Sequence, residues 1–292
     1  MNIVPIAFDS LGTRSMATYI EAGDVKILID PAVSLAPSRF KLPPHPKEIE
    51  RQREHWQKIV EYGEKADVII VTHYHYDHHN PEFPSLYDGK VVFLKDPDNN
   101  INRSQRQRAG FFIPLIENGA KKIEIADGTT QRMGDVRVRF SPPVFHGTNP
   151  RLGFVVEVSI THDETFLFTS DVEGPAVKEQ MDFILEERPR IIFCDGPMTY
   201  MLGYRYSYDN FNIAKENLKE IIKETGVEKL VLDHHLARDI KWRNKMEDVF
   251  DTGERYNCGV LSAAGFWGID DDLLEARRRE LYGDKKGIDK GN

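Results

Sequence analysis

The stretch DVIIVTHYHYDHH, from Asp67 to His79, constrains this chain more than any other. Val68 to Val71 is a continuous apolar run, the pattern of a strand covered on both faces. Where it stops, four of the chain's ten histidines fall within seven residues, with Asp77 among them. Histidine nitrogens and carboxylate oxygens are the usual ligands of zinc and similar transition metals. In an extended segment residues two apart point the same way. His73, His75 and Asp77 are therefore expected to share a face, and a turn is needed to bring in His78. One zinc site uses three or four protein ligands. This loop alone nearly fills one, so further ligands elsewhere imply two.

Such ligands exist. His146 lies in VFHGTN, Asp171 in FTSDVEG, and His234 and His235 in VLDHHL. Each falls where an apolar strand runs out into a loop, which is where α/β scaffolds carry their sites.

The rest of the chain reads as hairpins followed by helix–strand units, twice over. Strands are expected at 3–8, 15–22, 25–30, 67–72, 91–94 and 121–126, with helices at 47–66 and 102–117. A hairpin follows over 129–142, then a second pairing 153–160 with 165–170. Helices at 175–187 and 210–224 alternate with strands at 190–195 and 229–233, and helical segments near 238–250 and 271–282 close the chain. This predicts an α/β fold of two halves, sheet packed on sheet with helices outside. No long polar linker divides it, so residues 1–292 are read as one domain. The segment 37–65, which opens on the proline-rich PSRFKLPPHP, is expected to border the site as a lid. Residues at about 270–285 are expected to form a helical extension.

Composition narrows the function. The chain is 40% hydrophobic and 29% charged, which suits a soluble globular protein. It has no run of the roughly 18–20 apolar residues a membrane span needs and no signal-peptide pattern at its start. Cys194 and Cys258 sit in apolar contexts and are read as reduced thiols in a cytoplasmic protein. A net charge of −8 argues against a broad nucleic-acid surface.

The spacing His73-x-His75-x-Asp77-His78, followed in order by His146, Asp171 and the His234–His235 pair, resembles the metallo-β-lactamase superfamily. The resemblance covers about residues 10–240 and is nearest to predicted metal-dependent hydrolases of that superfamily without an assigned substrate. It implies a four-layer αβ/βα sandwich, two mixed sheets face to face with helices outside and metals at one edge. The strand ending at Asp30 looks like the family's strand that ends in an aspartate. By the family pattern His73, His75 and His146 would bind one ion and Asp77, His78 and one histidine of the pair a second, with Asp171 bridging. In nuclease-like members an arginine stands four residues after the final histidine. His234 and Arg238 match that spacing, which selects His234, with His235 the alternative ligand or else a substrate contact, proton donor or packing residue. The implied cofactors are two divalent transition-metal ions, zinc foremost, with manganese or iron as alternatives.

The implied activity is hydrolysis by a hydroxide held between the ions, with Asp171 setting their spacing and Asp77 orienting the water. No G-x-S-x-G elbow or P-loop offers another chemistry. Arg103, Arg106 and Arg108 are candidates to meet a phosphate, and Tyr200, Tyr204, Tyr206 and Tyr208 to stack on a ring or base. These lean towards a phosphodiester or other anionic ester, on a small molecule or a short nucleic-acid end. Alternatives are a lactone or thioester hydrolase, a mononuclear iron dioxygenase on the same fold, or a non-catalytic scaffold. Flavodiiron relatives carry Glu at the position of His75, which weighs against their chemistry. His79 falls outside the motif and is read as a supporting or solvent-facing residue. His45, His55 and His162 have no companions and are read as ordinary histidines. The sequence does not set the oligomeric state.

Overall fold

Strand β4 (Val68–Val71) uses its unbroken apolar run on both sides at once. Val68 and Ile70 face a core shared with a second sheet. Ile69 and Val71 face a core shared with helices. That alternation recurs throughout the protein, for which a computed structural model describes residues 1–283.

The first sheet has the order β1-β2-β3-β4-β5-β6: β1 (Asn2–Phe8), β2 (Met16–Ala22), β3 (Val25–Ile29), β4, β5 (Val91–Leu94) and β6 (Lys122–Ile125). β1, β2 and β3 are antiparallel neighbours, and β3 to β6 run parallel. The second sheet contains β7 (Thr130–Met133), β8 (Val136–Phe140), β11 (Val158–Thr161), β12 (Thr165–Phe168), β13 (Ile191–Asp195), β14 (Lys229–Asp233) and β15 (Gly259–Leu261), in the order β15-β14-β13-β12-β11-β8-β7. β9 (Val144–Phe145) and β10 (Phe154–Val155) form a separate two-stranded ribbon.

The sheets close on one another through Phe8, Ile29, Ile70 and Phe93 from the first and Phe140, Phe168, Phe193 and Val231 from the second. Helices α1 (Pro46–Lys65) and α2 (Arg103–Ile116) cover the outside of the first sheet through Ile59, Phe112 and Ile116. Helices α3 (Lys178–Glu187) and α4 (Tyr208–Thr225) cover the second through Ile184, Leu218 and Ile222. This is the expected four-layer sandwich. The parallel strands of both sheets send their C-terminal ends to one edge.

Three expectations change. The strand expected over 153–160 is two strands in different sheets. β10 pairs with β9, and the chain crosses at Val156, whose N–H bonds to the Thr72 carbonyl at 3.2 Å, before β11 joins the main sheet. An apolar run does not record a change of partner. The helix near 238–250 is broken into a 3₁₀ turn (Leu236–Arg238), α5 (Trp242–Lys245) and α6 (Glu247–Arg255). Between α6 and the chain end lie β15 and a short α7 (Ala263–Phe266), and the 270–285 extension is helical only at α8 (Arg278–Leu281). Residues 284 and 285 lie outside the described residues.

The segment 37–65 divides. Its helix, α1, is an outer-layer element on the first sheet. Gln52, Arg53 and Trp56 of α1 also line a cleft of about 850 Å³ whose other walls are Tyr76, His79 to Glu82, Phe111 and Leu115. The proline-rich part is a strap tied down by α8. Arg278, fully buried, forks onto Glu48 (2.7 and 2.8 Å) and donates to the carbonyls of Leu42 (3.1 Å) and Ala36 (3.0 Å). Removing one partner of a buried pair leaves the other charge uncompensated, at a cost of about 3–5 kcal/mol. Arg278→Ala should therefore lower stability by about that amount in equilibrium denaturant unfolding. A loss below about 1 kcal/mol would show that the strap is held by other contacts.

Candidate metal centre

The edge where the parallel strands end collects the chemistry. Asp9 follows β1, Asp30 follows β3, and the HYHYDHH loop follows β4. His146 follows β9, Asp171 follows β12, Asp195 ends β13, and His234 and His235 follow β14. Several of these exits use left-handed backbone in residues other than glycine: Asp30 (φ 50°), Ser170 (57°), Glu173 (53°) and His234 (54°). Such conformations cost of order 1–3 kcal/mol each and persist where the surroundings dictate them. After His146 the same need is met by Gly147 (φ 75°), where a Cβ would come 2.6 Å from the Glu173 carboxylate.

Asp171 is the hub. Its Oδ2 lies 3.5 Å from His73 Nε2, 3.2 Å from His146 Nε2 and 3.4 Å from His234 Nε2, and its Oδ1 lies 3.0 Å from His78 Nε2. Two ligands about 2.0–2.1 Å from one tetrahedral ion stand about 3.3 Å apart, so these are ligand-to-ligand spacings. The candidate donors fall into two main sets, His73, His75, His146 and Asp171, and Asp77, His78 and His234. Asp171 also groups with His234 and His235. Asp77 Oδ2 is 3.8 Å from His234 Nε2.

Each of several histidines presents Nε2 to the cluster while its Nδ1 meets a partner behind. His78 Nδ1 meets Asp30 Oδ2 at 2.8 Å, and His234 Nδ1 meets Asp9 Oδ2 at 2.8 Å. His146 Nδ1 faces Glu173 Oε1 at 3.6 Å, and His73 Nδ1 lies 3.3 Å from both Thr72 Oγ1 and Ser170 Oγ. The Asp30 carboxylate, hydrogen-bonded to His78, sets the proton on its Nδ1 and leaves the Nε2 lone pair for the cluster. Asp30 is itself fixed by the Thr72 N–H (2.8 Å) and hydroxyl (2.7 Å).

Among the described residues, His73 Nε2, His78 Nε2 and Asp171 Oδ1 are buried without a hydrogen bond. Donor-free acceptors gathered this closely fit a divalent cation. Burial opposes charge on His78, yet Asp171 and Asp30 hold its pKa up at about 10. Burial pushes His75 down to about 3. The carboxylates thus favour positive charge at His78, a proton that an ion bound there would displace.

His235 Nδ1 contacts Asp195 Oδ2 at 2.9 Å, and Asp195 also accepts the backbone N–H groups of His235 (3.0 Å) and Glu173 (2.7 Å). Strand parity does not separate His234 from His235, because β14 ends at Asp233. The left-handed turn at His234 leaves both rings beside Asp171, 4.5 Å apart and nearly perpendicular. Parity also fails within the motif. His73 and His75 stay together, but a turn closed by bonds to the His75 carbonyl (from His78 N, 3.0 Å, and His79 N, 3.1 Å) sends Asp77 to the other donor set.

Arg103 projects to solvent, and Arg106 is exposed and contacts the Asp98 carbonyl. Arg108 instead donates to the Tyr74 carbonyl (3.1 Å) and lies over the Tyr76 ring. Tyr200 lies under the Arg39 guanidinium, 4.5 Å from ring centre to Cζ. His79 bonds back to the His75 carbonyl (2.9 Å), His45 caps α1, and buried His55 meets the Thr13 hydroxyl (2.7 Å). Sequence reasoning missed Asp9, Glu173, Arg39 and the supporting role of Asp195. Asp9 and Asp195 carry the signal that singled out Asp30: an aspartate where an apolar strand ends. Arg238 entered only as a spacing mark. It bonds Asp9 Oδ1 (2.9 Å) and stands 3.0 Å from His234 Nε2, a place it must yield to an ion on that nitrogen.

The fold and this arrangement define a class, and the comparisons with known proteins agree. Residues 26–235 match the family model described as "Beta-lactamase superfamily domain", and the chain belongs to that superfamily, in its metallo-β-lactamase branch. Curated relatives include UPF0282 proteins, uncharacterised in function. The one from Korarchaeum cryptofilum is 52% identical over 284 residues, covering 97% of this chain and 94% of its own. Among solved structures, a possible metal-dependent hydrolase from Veillonella parvula has TM-score 0.53 at 14% identity, covering 86% of this chain and 94% of its own. Unliganded yeast PDE1 has TM-score 0.55 at 13% identity, covering 89% and 97%. At such identities they share the fold alone.

The Asp30 relay gives a direct test. Losing the carboxylate behind a metal-binding histidine costs about 10- to 100-fold in metal affinity. Asp30→Asn should weaken metal binding by that factor in a competitive chelator titration. Unaltered affinity would show that His78 needs no such support.

Proposed function

We propose that this protein is a hydrolase working with two divalent transition-metal ions on a phosphodiester or other anionic ester. The observation that carries the reading is the set of imidazoles with Nε2 turned onto Asp171 and Nδ1 braced from behind. His73, His75 and His146 would hold one ion, Asp77, His78 and His234 the other, and Asp171 both. Zinc comes first because the donors are imidazole and carboxylate, with manganese or iron as alternatives. Such ions lower the pKa of water to about 7 and polarise a substrate oxygen.

The chain's own residues do the rest. Asp171 keeps the two donor sets in register. Asp77, with its side chain 16% exposed, is the carboxylate that can accept a hydrogen bond from the attacking water and orient it. Arg238, within 3.8 Å of Asp77 Oδ2, adds positive charge where negative charge develops on the substrate. His235 stands beside Asp171 with Asp195 behind it and is read as a contact for the substrate or its leaving group. Buried free thiols at Cys194 and Cys258 support a reducing, cytoplasmic setting. No helix among the described residues is long and apolar enough to cross a membrane.

Elemental analysis after metal repletion should find about two ions per chain, since seven donors exceed what one zinc site uses. The repleted protein should hydrolyse bis(p-nitrophenyl) phosphate, and chelation or Asp77→Ala should lower the rate at least about 100-fold. One ion per chain would sink the dinuclear reading. Turnover of lactones or thioesters with diesters untouched would replace the substrate class and leave the metals in place.

The two adjacent histidines separate in the same assay. His234→Ala should lower occupancy of the second ion, whereas His235→Ala should keep both ions and slow turnover. The reverse pattern would exchange their roles.

A further inference from the structure

The strap carries a guanidinium that the catalytic reading does not use. Arg39 and Leu42 close a tight turn by mutual backbone bonds (3.0 and 2.9 Å), with Phe40 and Lys41 left-handed (φ 56° and 65°). Arg278 holds the carbonyls of Ala36 and Leu42 on either side. The direction of the Arg39 side chain is thus set by the buried Arg278–Glu48 pair. Its guanidinium lies over two rings, 4.5 Å from Tyr200 and 4.7 Å from Phe40. Its Nη2 donates to the Arg238 carbonyl at 3.3 Å. The Arg238 guanidinium in turn reaches His234 and Asp77, so Arg39 stands one arginine's length from the second donor set.

Three arginines meet here. Arg238 lies by Asp9 (2.9 Å) and Asp77 (3.8 Å), while Arg14 and Arg39 share Glu275. Asp9 Oδ1 accepts from Arg238 (2.9 Å), and Asp9 Oδ2 lies 2.8 Å from His234 Nδ1. Glu275 is forked by Arg14 at 2.6 and 2.7 Å. Arg39 Nε has Glu275 only at 3.9 Å and, among the described residues, no hydrogen bond. A largely buried cation whose nearest counter-ion is already engaged stands ready for another anion. Its side chain remains 16% exposed, so a ligand can reach it.

We propose that Arg39, set between the Tyr200 and Phe40 rings, is a specificity-determining residue that binds an oxyanionic substituent of the substrate, phosphate or carboxylate, apart from the bond cut at the metal centre. This deepens the hydrolase reading and rests on it for the word substrate. The planar fork of a guanidinium suits two oxygens of one anion.

The test begins with the metal-repleted wild-type protein. Arginines are labelled with phenylglyoxal in inorganic phosphate, acetate or chloride at matched ionic strength, and peptides are mapped by mass. Arg39 should label about tenfold more slowly in phosphate or acetate than in chloride, as expected for a charge-assisted bond. The anion that protects tells a phosphoryl group from a carboxylate. Equal labelling in all three overturns the proposal, whatever the protein hydrolyses. The second arm uses Arg39→Gln and two thymidine 5′-(p-nitrophenyl phosphate) diesters, with and without a 3′-phosphate. Where phosphate protects, KM should rise about 10- to 100-fold for the 3′-phosphorylated diester only, with kcat and metal content unchanged. A lowered melting temperature with both substrates affected alike would mean that Arg39 merely fastens the strap, and the proposal falls. If the wild type cuts neither diester, the hydrolase reading fails on these substrates and the labelling result alone judges Arg39.

Discussion

One buried carboxylate organises this edge of the molecule. Asp171 stands within 3.0–3.5 Å of imidazoles from three different loops, one after a strand of each main sheet and one after β9 of the two-stranded ribbon. Carboxylate and imidazole lone pairs repel at such distances unless a proton or a metal ion lies between them. Holding them there is work, and the surrounding structure supplies it. Asp30 braces His78, Asp9 braces His234, and Asp195 braces His235. Left-handed backbone at Asp30, Ser170 and His234 turns the chain sharply enough at the strand ends for this convergence.

The bracing carboxylates also tie the two sheets together. Asp233, at the end of β14, accepts the N–H groups of Ser10 (3.0 Å) from the first sheet's edge and of Ala263 (2.8 Å) from α7. Thr72 and Ser170, which flank the site from opposite sheets, share a hydroxyl bond of 2.6 Å. The apolar core fixes the distance between the sheets, and these bonds fix their register at the one edge where register matters for chemistry. The strap extends the scheme outward: a buried ion pair far from the donors decides where Arg39 points.

Much of this was legible in the chain. The apolar runs of β4, β5, β13 and β14 matched their strands to within a residue or two, because burial on both faces leaves no room for polar alternation. The candidate donors could be named because the histidine-rich motif and its lone partners fall at strand ends, and the structure brings them within reach of one another. Asp9 and Asp195 were missed although each ends a strand, because neither lies in the motif that drew attention. Arg39 gave no local signal at all. Its role depends on Arg238, Glu275 and Tyr200, which are distant in sequence.

The layered α/β architecture and the candidate donors are thus written residue by residue in burial and side-chain chemistry, and the family motif already implied a division of those donors. What only the folded chain supplies is the backbone that groups them. A turn at the His75 carbonyl separates Asp77 from His73 and His75. A left-handed residue after β14 brings two adjacent histidines to Asp171, which an extended strand would not allow. Both outcomes depend on backbone bonds and packing between segments far apart in the chain, and a local pattern holds no information about those.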